Sequence, residues 1–148
     1  YMLQNSFQDL FKNLLILVLS YGLAMYMVVY LLDFPSWILS SPKIIKNYYY
    51  TNFTKNVILD YIYILGYLGI AFFIMDQFNI TSNASKFLTV IAVTGTLTAT
   101  FAYLFRNIFT NVKVFSKFFQ TVGYKSCIYD IVYVVFIYYL YEFLKNKL

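Results

Sequence analysis

Histidine is absent from this chain of 148 residues, and cysteine occurs once, as Cys127. The first absence removes the commonest general base and the usual haem ligand. The second removes any intrachain disulfide and any CxxC redox pair. Arginine is nearly missing, with Arg106 alone, and acidic residues number 6. The sequence contains no Ser/His/Asp set, phosphate-binding loop, paired catalytic carboxylates or metal-ligand cluster. It therefore reads as a non-enzyme with no cofactor and no metal, since catalysis would have to rest on isolated carboxylates or Cys127.

Charge is scarce as well. Charged residues make up 11% of the chain, where a soluble domain carries about 25%. Hydrophobic residues reach 61%, against roughly 45–50% in ordinary domains. So few charges cannot cover the surface of a soluble fold this size, and lipid or other membrane proteins must cover it instead. The formal net charge is +5, but the basic residues lie between apolar stretches. That spacing suits anionic lipid headgroups and excludes a nucleic-acid footprint.

Tyr (17) and Phe (16) are abundant, as are Ile, Asn and Lys, all residues with AT-rich codons. An AT-biased genome follows, such as that of an organelle, some protists or a large DNA virus.

A helix rises 1.5 Å per residue, so about 20 apolar residues cross a bilayer's hydrocarbon core. Four segments meet this requirement: residues 14–32, 57–75, 87–105 and 127–144. The first and third carry no charge. The second holds Asp60 one turn inside its start, and the fourth holds Asp130 and Glu142 near its ends. The first is too long for a signal-peptide core and lacks a small-residue cleavage pattern, so it reads as a retained span. The expected fold is all-α: one integral membrane bundle of four transmembrane helices.

With four spans, the first and third loops share one side of the membrane. They carry Lys43, Lys46, Lys55, Arg106, Lys113, Lys117 and Lys125, all expected at lipid headgroups. The smaller basic set, Lys12, Lys86, Lys145 and Lys147, falls on the other side. The asymmetry places the long loops inside and both termini outside. Trp37, Tyr48, Tyr49, Tyr50, Tyr61, Tyr63, Tyr103 and Tyr124 fall near the boundaries and read as interfacial anchors. Asn52, Asn79 and Asn83 open glycosylation sequons, matches that arise by chance in an Asn/Thr-rich chain.

Shifting the sequence by 70 residues aligns Lys43 with Lys113, Lys55 with Lys125, Asp60 with Asp130 and Tyr63 with Tyr133. Tyr48 and Tyr49 fall on Phe118 and Phe119. This suggests two tandem helical hairpins, each a span, a basic loop and a span, as in parallel transporter repeats. Shared membrane grammar produces similar matches without duplication. Ile108, Val112, Phe115, Phe119 and Val122 recur at helical spacing, predicting an interfacial amphipathic helix in the third loop. In the first loop a helix is expected to begin near Pro42.

Asp60 and Asp130 are the sharpest candidates for function. An acid within a span is costly and often marks an ion or proton path. The plainer reading sets each in the first turn of a helix, favoured by the positive dipole end and partnered by Lys55 or Lys125. In the third span Ala92, Gly95, Ala99 and Ala102 form a strip for close helix packing, with Gly66 and Gly69 as a matching notch on the second. Cys127 reads as a buried free thiol at a membrane boundary, with palmitoylation the alternative.

These features together point to a non-catalytic structural subunit of a larger membrane assembly, with membrane lipids and other membrane subunits as partners. A virion internal membrane of a large DNA virus and an organelle membrane both fit the composition. Two rivals stand beside it: a small ion channel or transporter using Asp60 and Asp130, and a membrane-shaping protein.

Overall fold

The computed structural model describes residues 2–111 and 113–148, with side chains described for residues 8–111 and 116–148. Helix α1 spans Met2–Ala24 and continues as a π-helical stretch, Met25–Leu31. Two short helices follow, α2 (Phe34–Leu39) and α3 (Pro42–Lys46), then a second π-helical stretch, Asn47–Thr51. Helices α4 (Phe53–Gln77), α5 (Asn83–Asn107), α6 (Lys113–Val122) and α7 (Lys125–Lys145) complete the chain. No strand occurs among the described residues.

Four helices are long and apolar enough to cross a membrane: Gln8–Leu31, Phe53–Gln77, Asn83–Asn107 and Lys125–Lys145. The chain is an all-α bundle with the build of a multi-pass membrane protein. Lys12 Nζ donates to the carbonyl of Leu148 at 3.0 Å, which brings both chain ends to one end of the bundle. The long loops lie at the other end.

Helix starts and stops follow local chemistry. Pro35 is the second residue of α2 and Pro42 the first of α3, both in the first turn, where a missing N–H removes no helical bond. Ser82 caps α5, its Oγ accepting from the Ser85 N–H at 3.2 Å. Gly123 ends α6 with φ +61°, a conformation that costs an L side chain about 1–2 kcal/mol. That corner turns the chain from α6 into α7.

Helix α7 is the central element, with α1 and α5 packed along it and α4 packed on α5. Its buried residues Tyr129, Tyr133, Val134, Ile137, Tyr138 and Tyr141 recur every three or four positions, a stripe that meets its neighbours. On α5 the buried stripe is Val90, Thr94, Thr98 and Ala102. The outside is apolar, with Phe73 at 64% and Leu88 at 63% exposure, as lipid-facing surface should be.

Several expectations change. Of the small-residue strip, Ala102 is buried and Gly95 sits against Ile131 of α7, but Ala92 is exposed. Gly66 and Gly69 have nothing within 4 Å, so they make no notch for α5 within this chain; the face they occupy points outward. Trp37, Tyr50, Tyr103 and Tyr124 are exposed as anchors should be, whereas Tyr49 is buried. Helix α6 forms, but Phe119 and Val122 of its apolar face are buried against the bundle. Insertion into a bilayer would have needed that face. The Val112 and Phe115 positions, like Lys113, lie outside the described side chains.

The first hairpin also departs from the second. Helices α5 and α7 pack closely along their length, whereas α1 and α4 have no comparable helix-on-helix contact. Side chains bridge them instead: Tyr21 donates to the Val57 carbonyl at 3.1 Å and its ring lies 5.4 Å from that of Tyr61. The two halves are thus not intact copies of one hairpin.

Candidate functional site

Helix α4 begins at Phe53 and α7 at Lys125, and neither has an acid in its first turn. Phe53, Thr54, Lys55 and Asn56 extend α4 beyond its apolar segment, so Asp60 lies about two turns inside the helix. The dipole effect fades within the first turn, which removes the helix-end explanation for both acids. The lysines do not supply one either. Lys125 Nζ donates to Ser40 Oγ at 3.3 Å, and Lys55 lines a different, outer cleft.

Instead the two acids, Asp60 and Asp130, face one internal cavity of about 60 Å³ at the loop end of the bundle. They are close enough to interact electrostatically. The wall is completed by Tyr48, Tyr49, Tyr63, Tyr67, Tyr129 and Tyr133, with Phe and aliphatic side chains, and it contains no basic residue. About 10–15 Å³ of such volume admits one water, so the space accommodates a few.

Each carboxylate has a hydroxyl partner. Tyr48 donates to Asp60 Oδ1 at 2.5 Å. The second π-helical stretch delivers Tyr48, and Asn56 ties that stretch to α4 by donating to the Tyr48 carbonyl at 2.9 Å. Burial, reinforced by the neighbouring Asp60, holds the Tyr48 phenol well above its ordinary pKa. Tyr48 therefore stays protonated and remains a donor.

On the opposite side, Thr98 Oγ1 donates to Asp130 Oδ2 at 2.8 Å and lies 3.4 Å from the Tyr67 hydroxyl. The hydroxyls of Tyr129 and Tyr133 are buried without a hydrogen bond of good geometry. Both lie within electrostatic reach of Asp60.

The cavity wall also sharpens the 70-residue correspondence. Tyr48 and Phe118, Tyr49 and Phe119, Asp60 and Asp130, Tyr63 and Tyr133, Ile64 and Val134 are all matched pairs, and all line this cavity. Tyr48 and Phe118 touch each other, ring centroids 5.3 Å apart. The residues matched by the 70-residue offset thus share this cavity, although the two hairpins do not pack alike.

Sequence reasoning identified both acids and the Tyr63/Tyr133 match, but it assigned Tyr48, Tyr49 and Tyr63 to the interface. It missed Thr98, Tyr67 and Tyr129. The spacing Asp60, Tyr63, Tyr67 puts three polar groups on one face of α4, a signal present in the sequence.

Beyond the cavity the middle of the core is mostly apolar. Leu68, Ala71, Val90 and Ile137 are fully buried. At the far end a second, open cavity of about 490 Å³ is lined by Asp76, Lys86, Tyr138, Tyr141, Glu142 and Lys145, among others. The remaining basic candidates scatter: Lys46 is exposed, and Arg106 lies over the Tyr124 ring at 5.5 Å. Cys127 is a free, half-buried thiol. No protein-family model, curated protein or solved structure matches the chain.

Proposed function

We propose that this chain is a proton-handling membrane protein, in which Asp60 and Asp130 take up and release protons at the loop end of the bundle. One observation carries the reading: two carboxylates from different spans face one cavity whose wall holds no basic residue. Burying two anions together without a cation is costly. Protonation removes that cost, and the cavity's phenols and the Thr98 hydroxyl can both donate and accept along a relay.

A divalent ion fits less well. Calcium asks for six to eight oxygen ligands, and no group of three or more His, Cys, Asp or Glu that could hold a metal occurs among the described residues.

The test is infrared difference spectroscopy of the full-length protein in nanodiscs across a pH titration. Beyond the bands of the four other carboxyl side chains, the wild type should show a titrating carbonyl band at the high frequency of a carboxyl out of water, weakened in Asp60→Asn and in Asp130→Asn and lost in the double variant. An unchanged band in the double variant, or none in the wild type, overturns the reading. A proton flux into dye-loaded proteoliposomes that the same substitutions abolish would extend it from binding to transport.

A second reading, a structural subunit of a larger membrane assembly, is favoured by the outward face of α4. Gly66 and Gly69 stand open there beside exposed Ile62, Ile70 and Phe73, a surface another helix can approach closely. Crosslinking from that face to co-purifying chains in native membranes tests it. The AT-biased composition supports an organelle membrane or a virion internal membrane as the setting.

A further inference from the structure

A second cleft adjoins the carboxylate cavity, sharing Tyr48 and Phe118 as wall, but its chemistry does not depend on the proton reading. Lys43 of α3, Lys55 in the first turn of α4 and Lys117 of α6 converge on one cleft of about 510 Å³. Its wall contains no acidic residue. All three lysines are exposed, and the cleft brings Lys117 of α6 to the same wall as Lys43 and Lys55 of the first loop region. Three lysines on one wall with no acid among them give the cleft a positive potential that favours an anion.

The rest of the wall suits an amphiphile. Ile44 and Phe118 supply apolar surface, and Asn47, Asn52, Ser41 and Thr121 supply polar groups. Asn52 Nδ2 already donates to Asn47 Oδ1 at 2.9 Å, which fixes that rim. The cleft lies where α4 emerges at the loop end, beside the exposed anchor Tyr50, the depth at which headgroups lie. Its volume falls within the usual range for small-molecule sites, about 300–1,000 Å³.

We infer that the cleft formed by Lys43, Lys55 and Lys117 binds a phosphate monoester or diester, offered by an anionic phospholipid whose glycerol backbone rests on Ile44 and Phe118. A soluble phosphate compound shares the same headgroup chemistry, and the experiment separates the two.

The full-length protein is placed in nanodiscs of phosphatidylcholine alone or with phosphatidic acid, then released into detergent for native mass spectrometry to count retained lipids. The wild type should retain phosphatidic acid in preference to phosphatidylcholine. Each lysine is worth about fivefold near an anionic headgroup, so Lys43→Gln/Lys55→Gln/Lys117→Gln should lose about 100-fold in affinity. The charge-preserving Lys→Arg triple should retain most of it, which guards against misfolding as the cause. Lys12→Gln/Lys86→Gln/Lys147→Gln, at the opposite end, should bind like the wild type.

Inorganic phosphate and glycerol 3-phosphate, added to phosphatidylcholine nanodiscs, form the soluble arm. Binding of these without retention of phosphatidic acid assigns the cleft to a soluble phosphate and overturns the lipid. Equal phosphatidic acid retention by the wild type and the Gln triple overturns the site altogether, as does loss in both triples alike.

Discussion

Thr98 is completely buried, and its hydroxyl makes the 2.8 Å bond to Asp130 on the neighbouring helix. Thr98→Val keeps the shape of the side chain and deletes the donor. The carboxyl oxygen is then left without its partner, a loss of about 1–3 kcal/mol for a buried polar group. In an Asp130→Leu background the same substitution deletes a hydroxyl that has no carboxyl to serve. That hydroxyl can return to a carbonyl of its own helix, so its removal should cost about 0.5 kcal/mol or less.

The double-mutant cycle should therefore give a coupling of about 1–2 kcal/mol. This exceeds the roughly 0.6 kcal/mol average for interhelical hydrogen bonds in a membrane protein, because the acceptor is a carboxyl in a cavity with no competing basic donor. Equilibrium unfolding of the four proteins in bicelles, by titration with a denaturing detergent, measures it. A coupling below about 0.3 kcal/mol would show that Asp130 does not depend on Thr98, and the reasoning for a built carboxyl site on α7 would fail with it.

Tyr48→Phe should destabilise by about 1–2 kcal/mol, since it removes the donor to Asp60, and it should shift the infrared carboxyl band of Asp60 while leaving that of Asp130 nearly in place. Gly95→Leu should cost about 1–3 kcal/mol by overpacking, because even a Cβ would sit 3.1 Å from Ile131 Cδ1. Gly66→Leu, with nothing within 4 Å, should be neutral or stabilising by up to about 1 kcal/mol through helix propensity; detergent unfolding of the two variants side by side checks the contrast. Gly123→Ala should cost about 1–2 kcal/mol from its positive φ, read as a lowered unfolding midpoint together with faster proteolysis between α6 and α7.

The spans were legible because each is a local property: a run of apolar residues longer than any soluble surface helix tolerates. All four helices contain their predicted apolar segments, apart from Leu32 at the edge of the first. Which way an aromatic faces was not local. Tyr48, Tyr49 and Tyr50 are consecutive, and composition gave all three the same role at the interface. The π-helical turn that carries them buries Tyr49, turns Tyr48 onto Asp60 and leaves Tyr50 exposed. Asp60 misled for a related reason. Hydropathy set the start of its span at Val57, but helix formation begins at Phe53, and four residues decide whether an acid is in a dipole's first turn or beyond it. Thr98 was not legible because its partner lies on another helix, and no spacing rule within α5 points to it.

The core has a small polar-lined cavity at its loop end and mostly apolar packing in the middle, and that asymmetry bears on the proposed proton handling. Val134 lines the carboxylate cavity and Tyr138 lines the far cavity, one helical turn apart, or about 6 Å along α7. Between them Ile137 is fully buried, and on α5 so is Thr94, whose hydroxyl has no hydrogen-bond partner. Asp130 is thus separated from the far cavity by a mostly apolar layer of buried side chains about one turn thick. On the proposed proton-handling role, this layer is the barrier between the acids and the far cavity. Passage to the other side requires water or a hydroxyl to enter the layer at Ile137 and Thr94, and the unpartnered Thr94 hydroxyl is the polar group already inside it. A relative shift of α5 against α7 is the smallest motion that would admit such a water, because those two helices carry the layer between them.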